Sequence, residues 1–142
     1  MNEAAVARPT TWYWVVATLA LLWNLIGVAS YLMTVYGAVP TVSEAQSTLE
    51  AATPAWVMGA FAIAAFGGAL GSLGLLLRKR WAKILLVVSL IAALAQQLWL
   101  LVLSDALALM GPSAAILPAT VIVVAVLLVW FATVADRRGW LN

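Results

Sequence analysis

The amino-acid sequence predicts an all-α integral membrane protein, an antiparallel four-helix transmembrane bundle, and three observations carry that expectation. The 142 residues are 66% hydrophobic and only 8% charged, with a mean hydropathy of +1.10, whereas a soluble domain is about a quarter charged. The apolar residues gather into four runs, each long enough at about 1.5 Å per residue to cover a hydrocarbon core of roughly 30 Å. All seven Lys and Arg residues fall on one side of the membrane if there are four spans, and not otherwise. The expected spans are 12–36, 54–77, 81–103 and 116–134, with residues 1–142 forming a single membrane domain.

The first run, Thr11 to Tyr36, is too long for the apolar core of a signal peptide, and no small-x-small cleavage site follows it before Pro40. It is expected to remain as the first helix. The polar stretch Pro40 to Thr53 carries Glu44 and Glu50 and no basic residue. Thr41-Val42-Ser43-Glu44 reads as a capping box, and Val42, Ala45 and Leu49 share a helical face, which suits either a short surface helix or a solvated loop. The second span begins at Pro54, a residue suited to a first helical turn, and stops at Arg78-Lys79-Arg80. The third begins beside Trp81 and Lys83 and ends where Ser104 and Asp105 mark the far interface. Ala106 to Met110 is apolar but cut off by Gly111-Pro112, as a frayed helix end or an interfacial loop would be. The fourth span, with Pro118 in its first turn, is the most uniformly apolar.

Cationic loops resist translocation, so the basic residues set the orientation. Arg8 precedes the first span, Arg78, Lys79, Arg80 and Lys83 surround the turn between the second and third, and Arg137 and Arg138 follow the fourth. Both termini and this basic loop are therefore expected on the cytoplasmic side. Aromatic anchors agree: Trp12, Tyr13, Trp14, Trp81 and Trp140 fall at the inner interface, Tyr36 and Trp56 at the outer. A net charge of +2 offers no surface for tracking phosphates, so the bilayer, not nucleic acid, is the expected partner.

With neither Cys nor His in the chain, disulfides, thiol nucleophiles, thiolate metal sites and imidazole bases are excluded. No catalytic residue, metal or cofactor is expected. An enzyme would need Asp105, Glu44 or Glu50 to meet in one pocket.

Asn24 lies near the middle of the first span, where an amide facing lipid would lose its hydrogen bonds. Asn24, Gly27, Tyr31 and Thr34 form one stripe at helical spacing, expected to face the bundle. Gln96 and Gln97 lie at similar depth in the third span and point about 100° apart, so at most one directly opposes Asn24. Asn24, Tyr31, Gln96 and Gln97 read either as a polar patch for a hydrogen-bonding solute, with Trp23 or Trp99 stacking on it, or as interhelical glue. In the second span Gly67, Gly68, Gly71 and Ser72 belong to two small-residue faces that suit close helix packing within the chain or self-association. A break at Gly67-Gly68, with freed carbonyls lining a cavity, is the alternative.

Three segments together resemble a known family: Trp23-Asn24-Leu25-Ile26-Gly27 with Tyr31-Leu32-Met33, Thr53-Pro54-Ala55-Trp56-Val57 leading into Ala60-Phe61-Ala62-Ile63-Ala64, and Leu75-Leu76-Leu77-Arg78-Lys79-Arg80-Trp81-Ala82. The chain is similar to the small four-span bacterial membrane proteins that automated naming often labels "sugar transporter". The resemblance implies a bacterial inner-membrane location and, through that label, transport of a small polar or sugar-like solute. It carries over no catalytic or substrate residue. Small multidrug exporters share the size, but the acidic residue they keep inside helix one is replaced here by the neutral stretch around Asn24. The alternative function is a non-catalytic accessory or assembly subunit, as a homo-oligomer or within a larger membrane complex. A cavity reaching Asn24 would favour transport, and amides sealed against each other would favour the accessory role.

Overall fold

The computed structural model describes residues 8–38 and 43–142. It is an all-α membrane helical bundle, in which Thr11–Val35, Ala55–Leu76, Trp81–Leu103 and Pro112–Arg137 are long and apolar enough to cross a bilayer. In chain order the elements are α1 (Thr11–Val35), α2 (Glu44–Ala52), α3 (Ala55–Leu76), α4 (Trp81–Leu98), α5 (Ala106–Met110) and α6 (Ile116–Arg137). A π-helical turn, Trp99–Leu103, continues α4, and a 3₁₀ turn, Pro112–Ala115, leads into α6. The fourth span thus runs beyond position 134 to Arg137, and Pro54 stands before α3 as its cap, not inside its first turn.

Neighbouring helices pack in the order α1, α3, α4, α6. Small residues set this arrangement, because without a hydrophobic drive between helices in lipid, close backbone approach is what favours contact. One face of α3 presents Gly67, Gly71 and Gly74 to α4: a Cβ at Gly71 would come within 2.8 Å of Leu86, and one at Gly74 within 2.7 Å of Trp81. The register, Gly74 beside Ala82 and Gly67 beside Ser89, makes the two antiparallel. The other face presents Gly68, Ser72 and Leu75 to α1. Since α3 is continuous through Gly67 and Gly68, the alternative of a broken helix there is overturned.

Both ends of the bundle are built from local chain reversals. At the basic end, α3 closes with the Lys79 amide donating to the Gly74 carbonyl and the Arg78 amide to Leu75, and α6 closes with the Trp140 amide donating to Ala135. Each such cap needs a left-handed residue, which Gly139 supplies at φ 71° and Arg78, with a side chain, at φ 57°. At the far end, the polar stretch resolves into a helix. Ser43 caps α2 by accepting from the Gln46 amide, and Leu49 is buried beneath it. Thr41 and Val42 of the expected capping box lie outside the described residues. The segment after α4, open between helix end and loop in the sequence, is the short helix α5 with Ala106 buried.

Core residues concentrate at the basic end. Tyr13, Leu75, Ala82, Leu86, Phe131, Trp140 and Leu141 form one cluster. Tyr13 stacks on Phe131 at 5.4 Å and meets Trp140 edge-on at 5.5 Å, while its hydroxyl donates to the Leu75 carbonyl. Tyr13 and Trp140 are therefore core residues, not interfacial anchors, whereas Trp12, Trp14 and Trp81 stay exposed as anchors would.

Candidate functional site

Midway along the bundle, α1, α3, α4 and α6 surround a cavity of about 650 Å³, covered at the far end by α5 and the 3₁₀ turn. Its wall contains Asn24, Gln96 and Gln97, so three of the four residues of the expected polar patch share one space. Trp23 and Gly27 of α1 also line it. Tyr31 does not belong to the patch: its ring packs edge-on against Phe61, itself part of the wall, at 5.4 Å, and against Phe66 at 5.8 Å. The stripe through Asn24 and Gly27 thus faces the cavity in its first turns and α3 further along. Trp99 is also displaced. It is buried beside a smaller pocket of about 180 Å³ with Leu49 and Asp105 and contributes nothing to the main wall.

The amides do not pair across the bundle. Asn24 Nδ2 donates to the Ala20 carbonyl at 2.8 Å and to Ser72 Oγ at 3.1 Å, tying α1 to α3. Its Oδ1 lies against the α carbon of Gly68, so close that a Cβ there would stand 2.0 Å from it. Gly68 is thus the seat of Asn24, a role that only the absence of a side chain permits. Ser89 ties α3 to α4 by donating to the Ala64 carbonyl at 2.7 Å. Sequence reading placed Ser72 among packing residues and passed over Ser89, since serines in membrane helices usually bond back to their own turn, as Ser30 does to Ile26.

Gln97 differs from both. Its side chain is 6% exposed, and Oε1 is buried with no hydrogen-bond partner among the described residues. Inside a bilayer an unmade bond of this kind is a large local cost, because the alternative of water is absent. The π-helical turn begins two residues later, with the Ser104 amide reaching back to the Trp99 carbonyl at 2.7 Å. Such turns interrupt the regular ladder and recur at functional sites.

The basic loop carries a structural role that its topological reading did not supply. Arg78 Nε donates to the Trp140 carbonyl at 2.8 Å, and the Asn142 and Arg80 backbones bond to Arg78 and Asn142 in turn. Arg80 and Lys83 both face Asp136, at 3.5 and 3.8 Å. Lys79 is exposed. Residues 139–142 are thereby fastened under the α3–α4 turn, with Arg138 placed over the Trp140 ring at 5.2 Å. Asp136, the one acidic residue among these cations, was the available signal. Of the carboxylates weighed for catalysis, Asp105 alone lines the smaller pocket, and Glu50 instead accepts from Gln46 on α2.

No protein family, curated protein or solved structure matches this chain.

Proposed function

We propose that this protein binds a small neutral solute in its midspan cavity and carries it across a bacterial inner membrane, with both termini cytoplasmic. One observation carries the reading: Gln97, whose buried amide oxygen has no partner among the described residues, forms part of the wall of a cavity large enough for a small molecule. An amide that served only to hold helices together would be satisfied by another helix, as Asn24 is by Ser72. The resemblance in sequence to proteins labelled as sugar transporters points the same way. Among the described residues the wall holds no charged side chain, which favours an uncharged solute.

The test is uptake by liposomes containing the purified protein, offered a panel of labelled sugars and other neutral solutes. Saturable uptake of one of them, abolished by Gln97→Leu, is expected. Uptake of none, together with stable co-purification with another membrane protein, would instead establish the accessory role. That second reading draws on α1, of which only 11% of the most apolar window is buried, against 39% in α3. For orientation, single cysteines at Ser47 and Lys79 are expected to react with an impermeant reagent in intact cells only at Ser47. Reaction at Lys79→Cys would reverse the topology.

A further inference from the structure

Among the described residues, the helices around the cavity are unevenly packed. At the basic end the cavity is shut by the buried cluster of Tyr13, Phe131 and Trp140, and at the far end Met110 and Ser113 lie over it. On the inner side α3 and α4 are tightly joined through their glycines. α1 and α6, by contrast, are not packed along their lengths, since α1 leans on α3 and α6 on α4. They meet through aromatic side chains at the basic end, where Trp12 and Tyr13 touch Phe131. Beyond that contact they part, and the cavity lies between them. Ile26 and Leu117 flank the gap, 64% and 66% exposed, where acyl chains would lie in a bilayer.

The hydrogen-bonding capacity left in the wall is small. Both Asn24 amide hydrogens are taken by Ala20 and Ser72, the Ser89 hydroxyl is given to Ala64, and the Ser30 hydroxyl to Ile26. The Asn24 Oδ1 acceptor, the Ser113 hydroxyl, Gln96 and Gln97 remain, and the rest of the wall is chiefly Ala, Leu, Ile and Val. A sugar would bury several hydroxyls, most of them against apolar wall, and each unmatched one lowers affinity by about tenfold. A molecule with one or two neutral polar groups and an apolar body leaves none unmatched.

We infer that the ligand of this cavity is an uncharged amphiphile taken from the bilayer through the gap between α1 and α6, its polar group held by Gln97 and Gln96. The inference rests on the cavity being a binding site, as proposed above, and narrows the small neutral solute to one dissolved in the membrane.

The probe is dodecanol carrying a diazirine in its chain, photolysed with the full-length protein in lipid nanodiscs and mapped by mass spectrometry. Label is expected on the cavity faces of α1, α4 and α6, displaced by unlabelled dodecanol and unaffected by glucose. Gln97→Leu is expected to lower saturable labelling about tenfold, the worth of one hydrogen bond to a buried partner. Ala125→Phe, which fills the cavity from α6, should lower it at least as far, and Leu127→Phe, a bulky change on the exposed face of α6, should leave it unchanged. Circular dichroism and gel filtration identify any variant that has not folded, and the two cavity variants act by different means, so either one alone suffices. Equal labelling of wild type and both folded cavity variants overturns the inference, because it means that the alcohol merely partitions around the protein. Saturable labelling of the same wall by a photoactivatable glucose, with none by the alcohol, overturns the ligand class and leaves solute binding standing. Saturable labelling by neither probe overturns both.

Discussion

Replacing Gly68 by Ala removes the seat of Asn24 and tests whether the midspan amide organises the α1–α3 contact. The added Cβ would stand 2.0 Å from Asn24 Oδ1 and 2.8 Å from its Cγ. Rotating the amide about its last torsion moves Oδ1 but not Cγ, so the whole side chain must leave its rotamer. Its bonds to Ala20 and Ser72 then break. Losing the interhelical bond costs about 1 kcal/mol, and stranding the amide about 2 kcal/mol more. The higher helix propensity of Ala returns about 1 kcal/mol. The net expectation is a destabilisation of about 2 kcal/mol. Gly67→Ala is the control, one position along the same helix: its Cβ would meet nothing nearer than 3.4 Å, so the propensity term stands alone and stability holds or rises. Reversible unfolding by sodium dodecyl sulfate in mixed micelles, followed by far-ultraviolet circular dichroism, gives both values. In an Asn24→Ala background only the 3.2 Å approach to Ser89 Oγ remains, and most of the cost of Gly68→Ala should disappear. If the Gly67 and Gly68 variants were equally stable in the wild-type background, Asn24 would not depend on this glycine and the reasoning would fail.

The same unfolding assay reads three further expectations. Tyr13→Phe deletes the hydroxyl bonded to the Leu75 carbonyl while keeping the ring on Phe131, so a loss of about 1 kcal/mol is expected, and no loss would deny that bond any weight. At Arg78, φ 57° is strained for any side chain, so Arg78→Gly should be more stable than Arg78→Ala by about 1 kcal/mol, since both lose the bond to Trp140 but only Gly relieves the backbone. The reverse order would mean that the turn changes conformation when the guanidinium is removed. Asp136→Asn breaks two ion pairs at 3.5 and 3.8 Å whose partners are partly or largely exposed. It should cost no more than about 0.5 kcal/mol, and less in high salt. A larger loss that salt does not diminish would show a buried role for this carboxylate.

The spans were legible because hydropathy and charge are local properties that the bilayer reads directly. Asn24 was legible for the same reason: a midspan amide must find a partner somewhere. The identity of the partner was not, because it depends on which helix lies beside α1, and nothing in the sequence around Asn24 distinguishes α3 from α4. The two small-residue faces of α3 were visible as a pattern, yet their spacing is the same whether they meet α1, α4 or a second copy. Tyr31 shares the helical face of Asn24 but reaches α3 where Phe61 and Phe66 receive its ring. Trp140 read as an anchor because aromatic residues gather at interfaces, whereas Arg78 and Asn142 hold its segment beneath the turn and bury it.

That buried segment bears on what proposed transport requires. A solute in the cavity faces the basic end through Ala20, Ala17 and then Tyr13, Phe131 and Trp140, all of them buried. Passage there means separating stacked rings, the Tyr13 bond to Leu75 and the Arg78 bond to Trp140 together. The far end is held by less: a five-residue helix, a 3₁₀ turn and a π-helical turn that has already left the regular ladder. A protein that moved its far end alone would bind and release on one side. Carrying a solute across demands that the aromatic cluster also open. Substitutions that loosen this cluster without touching the cavity, such as Tyr13→Phe, therefore separate the two activities, raising passage relative to binding in a carrier and changing neither in a one-sided binder.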